Sequence, residues 1–182
     1  MTTAQPSNGV ICGAEFSKCR KYRYSLWRIW DTDKPLVMVV GLNPSTANEN
    51  TDDPTIRSIS RIANSNGFGG VCMMNCFAFI SADPDLLEVN LANALVENVD
   101  ANDVFLEYVA EKCSDVVFAW GSFPIVKESG RDIQLSKMFP NAKCLAINKN
   151  GSPKHPLYCK SDTQFIEWKS PANDNQNHNL RP

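Results

Sequence analysis

The stretch VVGLNPSTANENTDDPTIR, Val39 to Arg57, indicates how this chain folds. Its first residues complete the apolar run PLVMVVG (35–41), which is typical of a strand buried on both faces of a sheet. Its last residues read as a helix start, because Asp53 is a favourable N-cap and Pro54 suits a first turn. A polar, Asn-rich loop therefore joins a buried strand to a helix, and α/β proteins bind ligands at such loops.

The rest of the chain continues this alternation of strands and helices. Ile56, Ile59, Ile62 and Ala63 give the helix one apolar face, and we expect the helix to end near Gly67. Further strands are expected at 69–75, 115–121 and 142–148, and further helices at 102–113 and at 123–138, the latter broken near Gly130. In the helix at 102–113 we expect Val104, Tyr108 and Val109 to face the core. The alternation predicts a mainly parallel sheet with helices on both faces.

Length and composition indicate one globular domain. The chain has 182 residues, of which 43% are hydrophobic and 21% charged. We expect a flexible N-terminus (1–14), a single α/β domain (15–168) and a disordered polar tail (169–182). No apolar run approaches the ~20 residues of a membrane span, and the first residues do not resemble a secretory signal. These features and seven cysteines without a C-x-x-C pair predict a cytoplasmic protein with reduced thiols, no metal and no cofactor.

Polar residues follow the ends of the predicted strands. Asn43 follows the first, Asn75 ends the second, Trp120 and Gly121 end the third, and His155 lies beyond the fourth. Because an Asn side chain both donates and accepts hydrogen bonds, this edge is suited to an amide or a nucleobase. The substrate-binding candidates are Gly41, Leu42, Pro44, Ser45, Asn75, Phe77, Trp120, Gly121, Pro156 and Leu157.

Each of these residues also has an ordinary structural interpretation. Asn43 and Asn75 could cap turns, Asp52 and Asp53 could simply begin a helix, and Trp120 could be a core residue. His155 is the only histidine outside the polar tail, so any imidazole chemistry would need it.

A basic, aromatic segment precedes the first buried strand. KYRYSLWRIW (21–30) reads as an exposed or edge strand, and basic side chains interleaved with aromatic rings suit unstacked bases. The nucleic-acid-binding candidates are Arg23, Arg28, Arg57, Arg61 and Lys154. The alternatives are an edge strand protected by charge and a solvated helix face. The net charge of −2 argues against nonspecific coating of nucleic acid.

Six motifs in order, YRYSLWRIW, GLNPSTAN, DDPTIR, MNCFA, FAWG and GSPKHPLY, resemble an uncharacterised family named domain of unknown function 1643. The resemblance covers about residues 20–160. More remotely, the motifs resemble the uracil-DNA glycosylase superfamily, whose fold is a three-layer α/β/α sandwich around a short parallel sheet. That fold, with a short and mainly parallel central sheet, is what the resemblance implies for this chain.

The remote resemblance also implies roles for individual residues. Gly41-Leu42-Asn43-Pro44 is similar to the superfamily's first motif, whose acidic or amide residue positions the attacking water, and Asn75 stands where an Asn reads the base. His155-Pro156 is similar to the late motif, whose His stabilises the departing base. Leu157 follows where Ser is usual, and Phe77 or Phe79 would have to supply the ring that stacks on the base.

The resulting expectation is hydrolysis of the N-glycosidic bond of a damaged or modified base in nucleic acid, with DNA as the expected substrate. Asn43, His155, Asp52 and Asp53 are the catalytic candidates. One alternative is a non-catalytic binder of a nucleobase, nucleotide or modified DNA. A further alternative is a hydrolase that uses Ser45 or a metal held by the two aspartates. Whether the protein is an enzyme stays open at this point.

Overall fold

The computed structural model describes residues 2–7, 9–83 and 101–169. Their strands form one eight-stranded sheet in the order β1-β2-β3-β5-β4-β6-β7-β8. The strands are β1 (Thr2–Ser7), β2 (Val10–Phe16), β3 (Arg23–Ile29), β4 (Leu36–Gly41), β5 (Gly70–Asn75), β6 (Asp115–Phe118), β7 (Lys143–Cys144) and β8 (Ile166–Glu167). The helices are α1 (Pro54–Ser65), α2 (101–110), α3 (Pro124–Glu128) and α4 (Arg131–Met138), with a 3-10 turn at Pro156–Tyr158.

The sheet is mixed. Strands β5, β4, β6 and β7 run parallel to one another in its centre. Strands β1, β2 and β3 continue the sheet antiparallel on one side, and β8 does so on the other. The prediction of an α/β protein is confirmed, whereas the prediction of a mainly parallel sheet is wrong. The connections from β1 to β2 and from β2 to β3 are short, and short connections join antiparallel strands.

The N-terminal part of the chain extends the sheet. Strand β2 pairs with β3, and β1 pairs with β2, so the structure differs from the expected flexible residues 1–14. It also makes β3, expected at an exposed or edge position, an internal strand. Gly13 explains part of this pairing: a Cβ there would lie 2.1 Å from Trp27 Cζ2, so only glycine allows the indole to cover β2.

Two hydrophobic cores lie on opposite faces of the sheet, because alternate residues of β4 point in opposite directions. Val37 and Val39 pack with the apolar face of α1. Met38 and Val40 belong to the other core, to which α2, α3 and α4 contribute Leu106, Val126 and Leu135, respectively.

The helices largely follow the sequence pattern. Asp53 caps α1 through a 2.9 Å bond to the Ile56 amide, and Gly130 separates α3 from α4 with a φ of 71°. Helix α2 is an exception, since Val104 is 65% exposed and Tyr108 is also exposed, while Leu106 and Asn102 are buried. The predicted inward face was therefore wrong for Val104 and Tyr108. The strand expected at 142–148 shortens to β7.

Lys169 is exposed, and the rest of the predicted polar tail, 170–182, lies outside the described residues. All seven cysteines are free thiols. In the part of the chain that the structure describes, no helix has the length and apolar character needed to cross a membrane.

Candidate functional site

A cavity of about 270 Å³ lies at the carboxyl ends of β4 and β5. Loops after these strands, the start of α1 and the segment around the 3-10 turn contribute its walls. Nine of the residues singled out from the sequence line it: Arg23, Gly41, Leu42, Asn43, Ser45, Asp53, Asn75, His155 and Leu157. The structure thus brings together residues that are up to 134 positions apart, Arg23 and Leu157. This is the strand edge at which α/β sheets bind ligands.

Gly41 makes room for the cavity floor. A Cβ at this position would lie 2.5 Å from Met73 Cε and 3.1 Å from the side-chain amide of Asn75. Both contacts are closer than a side chain tolerates without displacement, so Gly41 allows Asn75 to pack across the end of β4.

Asn43 ties two loops together. Its amide nitrogen donates to the carbonyl oxygen of Ser81 at 2.8 Å and to that of Pro44 at 3.0 Å. The bond to Ser81 connects the loop after β4 to the loop after β5. Together the two bonds occupy the amide hydrogens, so the side-chain oxygen is the group that remains for a water or a ligand.

Asn75 is 1% exposed and is held on both sides. The side-chain amide is oriented so that its nitrogen donates to two backbone carbonyl oxygens, that of Met74 at 3.1 Å and that of Asn43 at 3.3 Å. The backbone carbonyl oxygen of Asn75 accepts a hydrogen bond from Asn102 Nδ2 at 3.1 Å. These bonds make Asn75 part of the rigid floor of the cavity.

A buried ion pair supports this floor from below. Arg131 is 2% exposed, and its Nε donates to the carbonyl of Cys76 at 2.9 Å. Its two terminal nitrogens form a bidentate pair with the Asp103 carboxylate. The sequence did not reveal this network, because no local pattern links α2, α4 and the end of β5.

His155 presents one defined tautomer. Its Nδ1 accepts the Leu157 amide hydrogen at 3.3 Å, so in the neutral ring the hydrogen is on Nε2. Burial lowers the pKa of His155 below its usual value, partly opposed by the negative charge of Asp53. The imidazole is therefore neutral near pH 7 and offers an Nε2–H donor.

The two adjacent aspartates have separate roles. Asp53 lines the cavity while it caps α1. Asp52 instead accepts from Arg28 Nε at 2.7 Å. Arg28 also donates to the carbonyls of Trp27 and Asn48, and it is buried. Arg28 therefore holds the loop before α1 from inside the protein, and its contact with nucleic acid stays a prediction.

Arg23 is also buried, although the sequence placed it on a surface strand. It is 2% exposed, lines the cavity, and donates from Nη1 to the carbonyl of Ala47 at 2.7 Å. Arg23 is therefore an internal residue of the cavity wall, and its contact with nucleic acid stays a prediction.

Several predicted site residues lie elsewhere. Phe77 and Trp120 are core residues, and Trp120 packs on Phe118 and Trp168. Pro44 and Pro156 are buried and do not line the cavity, and Gly121 lies close to the Cβ of His155. Arg57 and Arg61 are exposed on α1, and half-buried Lys154 does not line the cavity.

The sequence analysis missed other wall residues, including Thr55, Ser81, Ala82, Phe123 and Tyr158. Phe123 is 36% exposed and follows β6. The rule that ligands bind beyond strand ends would have found it two residues after Gly121. Phe123 and Tyr158 are the accessible aromatic rings of this wall, unlike the buried Phe77.

The arrangement combines a neutral N–H donor, a carboxylate and amide oxygens around one small cavity. It defines an α/β protein with a small polar cavity at the ends of parallel strands. A family model described as "Protein of unknown function (DUF1643)" matches residues 23–157, and the chain belongs to that family. No curated protein and no solved structure matches the chain.

Proposed function

We propose that this protein binds a single nucleobase in the cavity and hydrolyses its N-glycosidic bond. The observation that carries the proposal is that the neutral His155 and the Asp53 carboxylate line the same cavity. The remote resemblance to uracil-DNA glycosylases adds support, and we extend it to a three-layer α/β/α arrangement of that type. The cores on both faces of the sheet are consistent with such layers.

The size of the cavity favours a base over a larger ligand. Sites for drug-sized ligands have volumes of roughly 300–1,000 Å³, and this cavity has about 270 Å³. A base therefore enters alone, with its sugar at the mouth. In nucleic acid, this requires the nucleotide to leave the base stack.

The proposed reaction uses these groups in defined roles. The oxygen of a water held by Asn43 Oδ1 forms a bond to the sugar C1′, and Asp53 accepts the proton of that water. The C1′–N bond breaks, and its electron pair moves into the base. The Nε2–H of His155 donates to the base as this negative charge develops, and such oriented donors contribute roughly 2.7–4 kcal/mol.

Mass spectrometry of released bases tests this proposal. Duplex and single-stranded DNA carrying uracil, mismatches or modified bases would be incubated with the wild type, Asp53→Asn and His155→Ala. We expect release by the wild type and a loss of at least ~100-fold in each variant. Undiminished release in both variants would contradict the mechanism, and absence of release on every substrate would contradict the reaction.

A second candidate is a reader that binds a base without cleaving it. Two observations favour it. Arg28 is buried, and the side-chain amide nitrogens of Asn43 and Asn75 both donate to backbone carbonyl oxygens. A base-dependent thermal shift without release would support the reader. The metal-dependent alternative gains no support, since the described residues contain no group of three or more His, Cys, Asp or Glu side chains that could hold a metal ion.

A further inference from the structure

Arg23 is a cavity-wall cation with an unmet hydrogen-bonding requirement. Arg23 is 2% exposed, and its Nη1 donates to the backbone carbonyl oxygen of Ala47. Its Nε is buried and has no acceptor in the part of the chain that the structure describes. Because guanidinium donors lose water on burial, a donor without an acceptor costs free energy.

The charge of Arg23 is also less compensated than that of its neighbour on β3. Arg28 contacts the Asp52 carboxylate at 2.7 Å and two carbonyl oxygens. Within the described ranges, no carboxylate forms a hydrogen bond or ion pair with Arg23. Burial lowers the pKa of Arg23 to about 10, Asp53 opposes this effect, and the positive charge of Arg28 adds to it. Arg23 nevertheless remains charged at neutral pH.

We infer that the cavity takes a ligand with a compact oxyanion, a carboxylate or a phosphate, and that Arg23 binds this group. The planar guanidinium matches the geometry of such an oxyanion. The inference rests on the proposed function insofar as the rest of the ligand is a nucleobase. The oxyanion is then either a carboxylate on a base that enters alone or the phosphate of a free mononucleotide that enters phosphate first.

Two pairs of probes distinguish these sources by calorimetry on the full chain. 5-Carboxyuracil is compared with its neutral, similarly shaped analogue 5-carbamoyluracil, and deoxyuridine 5′-monophosphate with deoxyuridine. We expect the anionic member of one pair to bind about 10- to 100-fold tighter than its neutral partner, as charge-assisted hydrogen bonds do. The pair that shows the preference identifies the source.

Variants assign the preference to Arg23. Arg23→Gln should abolish it while the affinity for the neutral probe changes much less. Arg20→Gln is the matched control, because Arg20 is an exposed cation that pairs with Glu49 outside the cavity, and it should retain the preference. Circular dichroism checks that both variants fold. If Arg23→Gln does not fold, the comparison of anionic and neutral probes on the wild type still tests the inference.

Equal binding of both members in each pair, or no binding of any probe, would overturn the inference. A preference that survives in folded Arg23→Gln would do the same. Base release without an oxyanion preference would contradict this inference alone. An Arg23-dependent preference without release of any base would contradict only the proposed glycosidase.

Discussion

A Cβ placed on Gly121 would lie 3.3 Å from the Cβ of His155. Gly121 ends the segment after β6 with a φ of 84°, and its amide donates to the carbonyl of Pro153 at 3.0 Å. The segment that carries His155 thus lies directly against the segment that follows β6. The position of the imidazole therefore depends on a glycine that does not itself line the cavity.

Gly121→Ala should reduce both stability and base binding. The positive φ alone costs roughly 1–2 kcal/mol for a residue with a side chain, and the added methyl group also pushes on His155. Gly67→Ala is a matched control, because Gly67 has a φ of 85° and nothing within 4 Å of an added Cβ. Denaturant unfolding and base binding would be measured for both variants. Equal losses of binding in the two variants would contradict a specific role for the Gly121–His155 contact.

The pKa of His155 predicts how stability varies with pH. Because its folded pKa is lowered, the unfolded chain binds a proton more readily, and the contribution of His155 to stability is present above the unfolded pKa of about 6.5. This contribution is lost as the pH falls from there through the folded pKa. Unfolding free energies at pH 7.5 and 5.5 should therefore differ more for the wild type than for His155→Gln. Parallel pH profiles would show that the imidazole does not titrate differently on folding.

The same titration should appear in activity. Protonation of Nδ1 removes its bond to the Leu157 amide, so the ring loses the contact that orients Nε2–H. We expect the release rate to fall below the folded pKa. A rate that stays constant from pH 7.5 down to the onset of acid unfolding would argue against an oriented, neutral His155.

Substitution by Asn should mainly reduce base release at Asp53 and mainly reduce stability at Asp52. Asp53→Asn keeps a good helix cap, so stability should change by less than ~1 kcal/mol while base release falls at least ~100-fold. Asp52→Asn leaves buried Arg28 without its carboxylate and should cost roughly 1–3 kcal/mol, less than a fully buried pair because Asp52 is partly exposed. Its release activity per folded molecule should fall less. A folded, fully active Asp53→Asn protein would exclude this carboxylate as the base.

The sequence predicted the parts of the fold that local patterns determine. The apolar run of β4, the Asp53 cap and the break at Gly130 all have short-range signals. Several cavity residues were also found, because the strand-end rule needs only the strand positions. Their functional roles stay predictions.

The remaining features depend on long-range contacts. Nothing local shows that the loop between β4 and α1 packs on β3, where it buries Arg23 and Arg28. The pattern of α2 was misread because its polar Asn102 faces inward, where it donates to the carbonyls of Asn75 and Cys76. A buried polar residue of this kind is recognised only once its partner on another element is known.

The pair of Arg131 and Asp103 leads to the last prediction, since it supports the Asn75 floor from outside the cavity. Arg131→Met removes the donor to the Cys76 carbonyl and leaves Asp103 without its cation. We expect a loss of roughly 3–5 kcal/mol in unfolding free energy, as for other broken buried pairs. Lys143→Met is the control, because the pair of Lys143 and Asp115 is partly exposed and should contribute only ~0–1 kcal/mol. Base binding measured on the folded fraction should weaken in Arg131→Met and not in Lys143→Met. Similar stability losses in the two variants would mean that the Arg131 network does not hold the floor of the cavity.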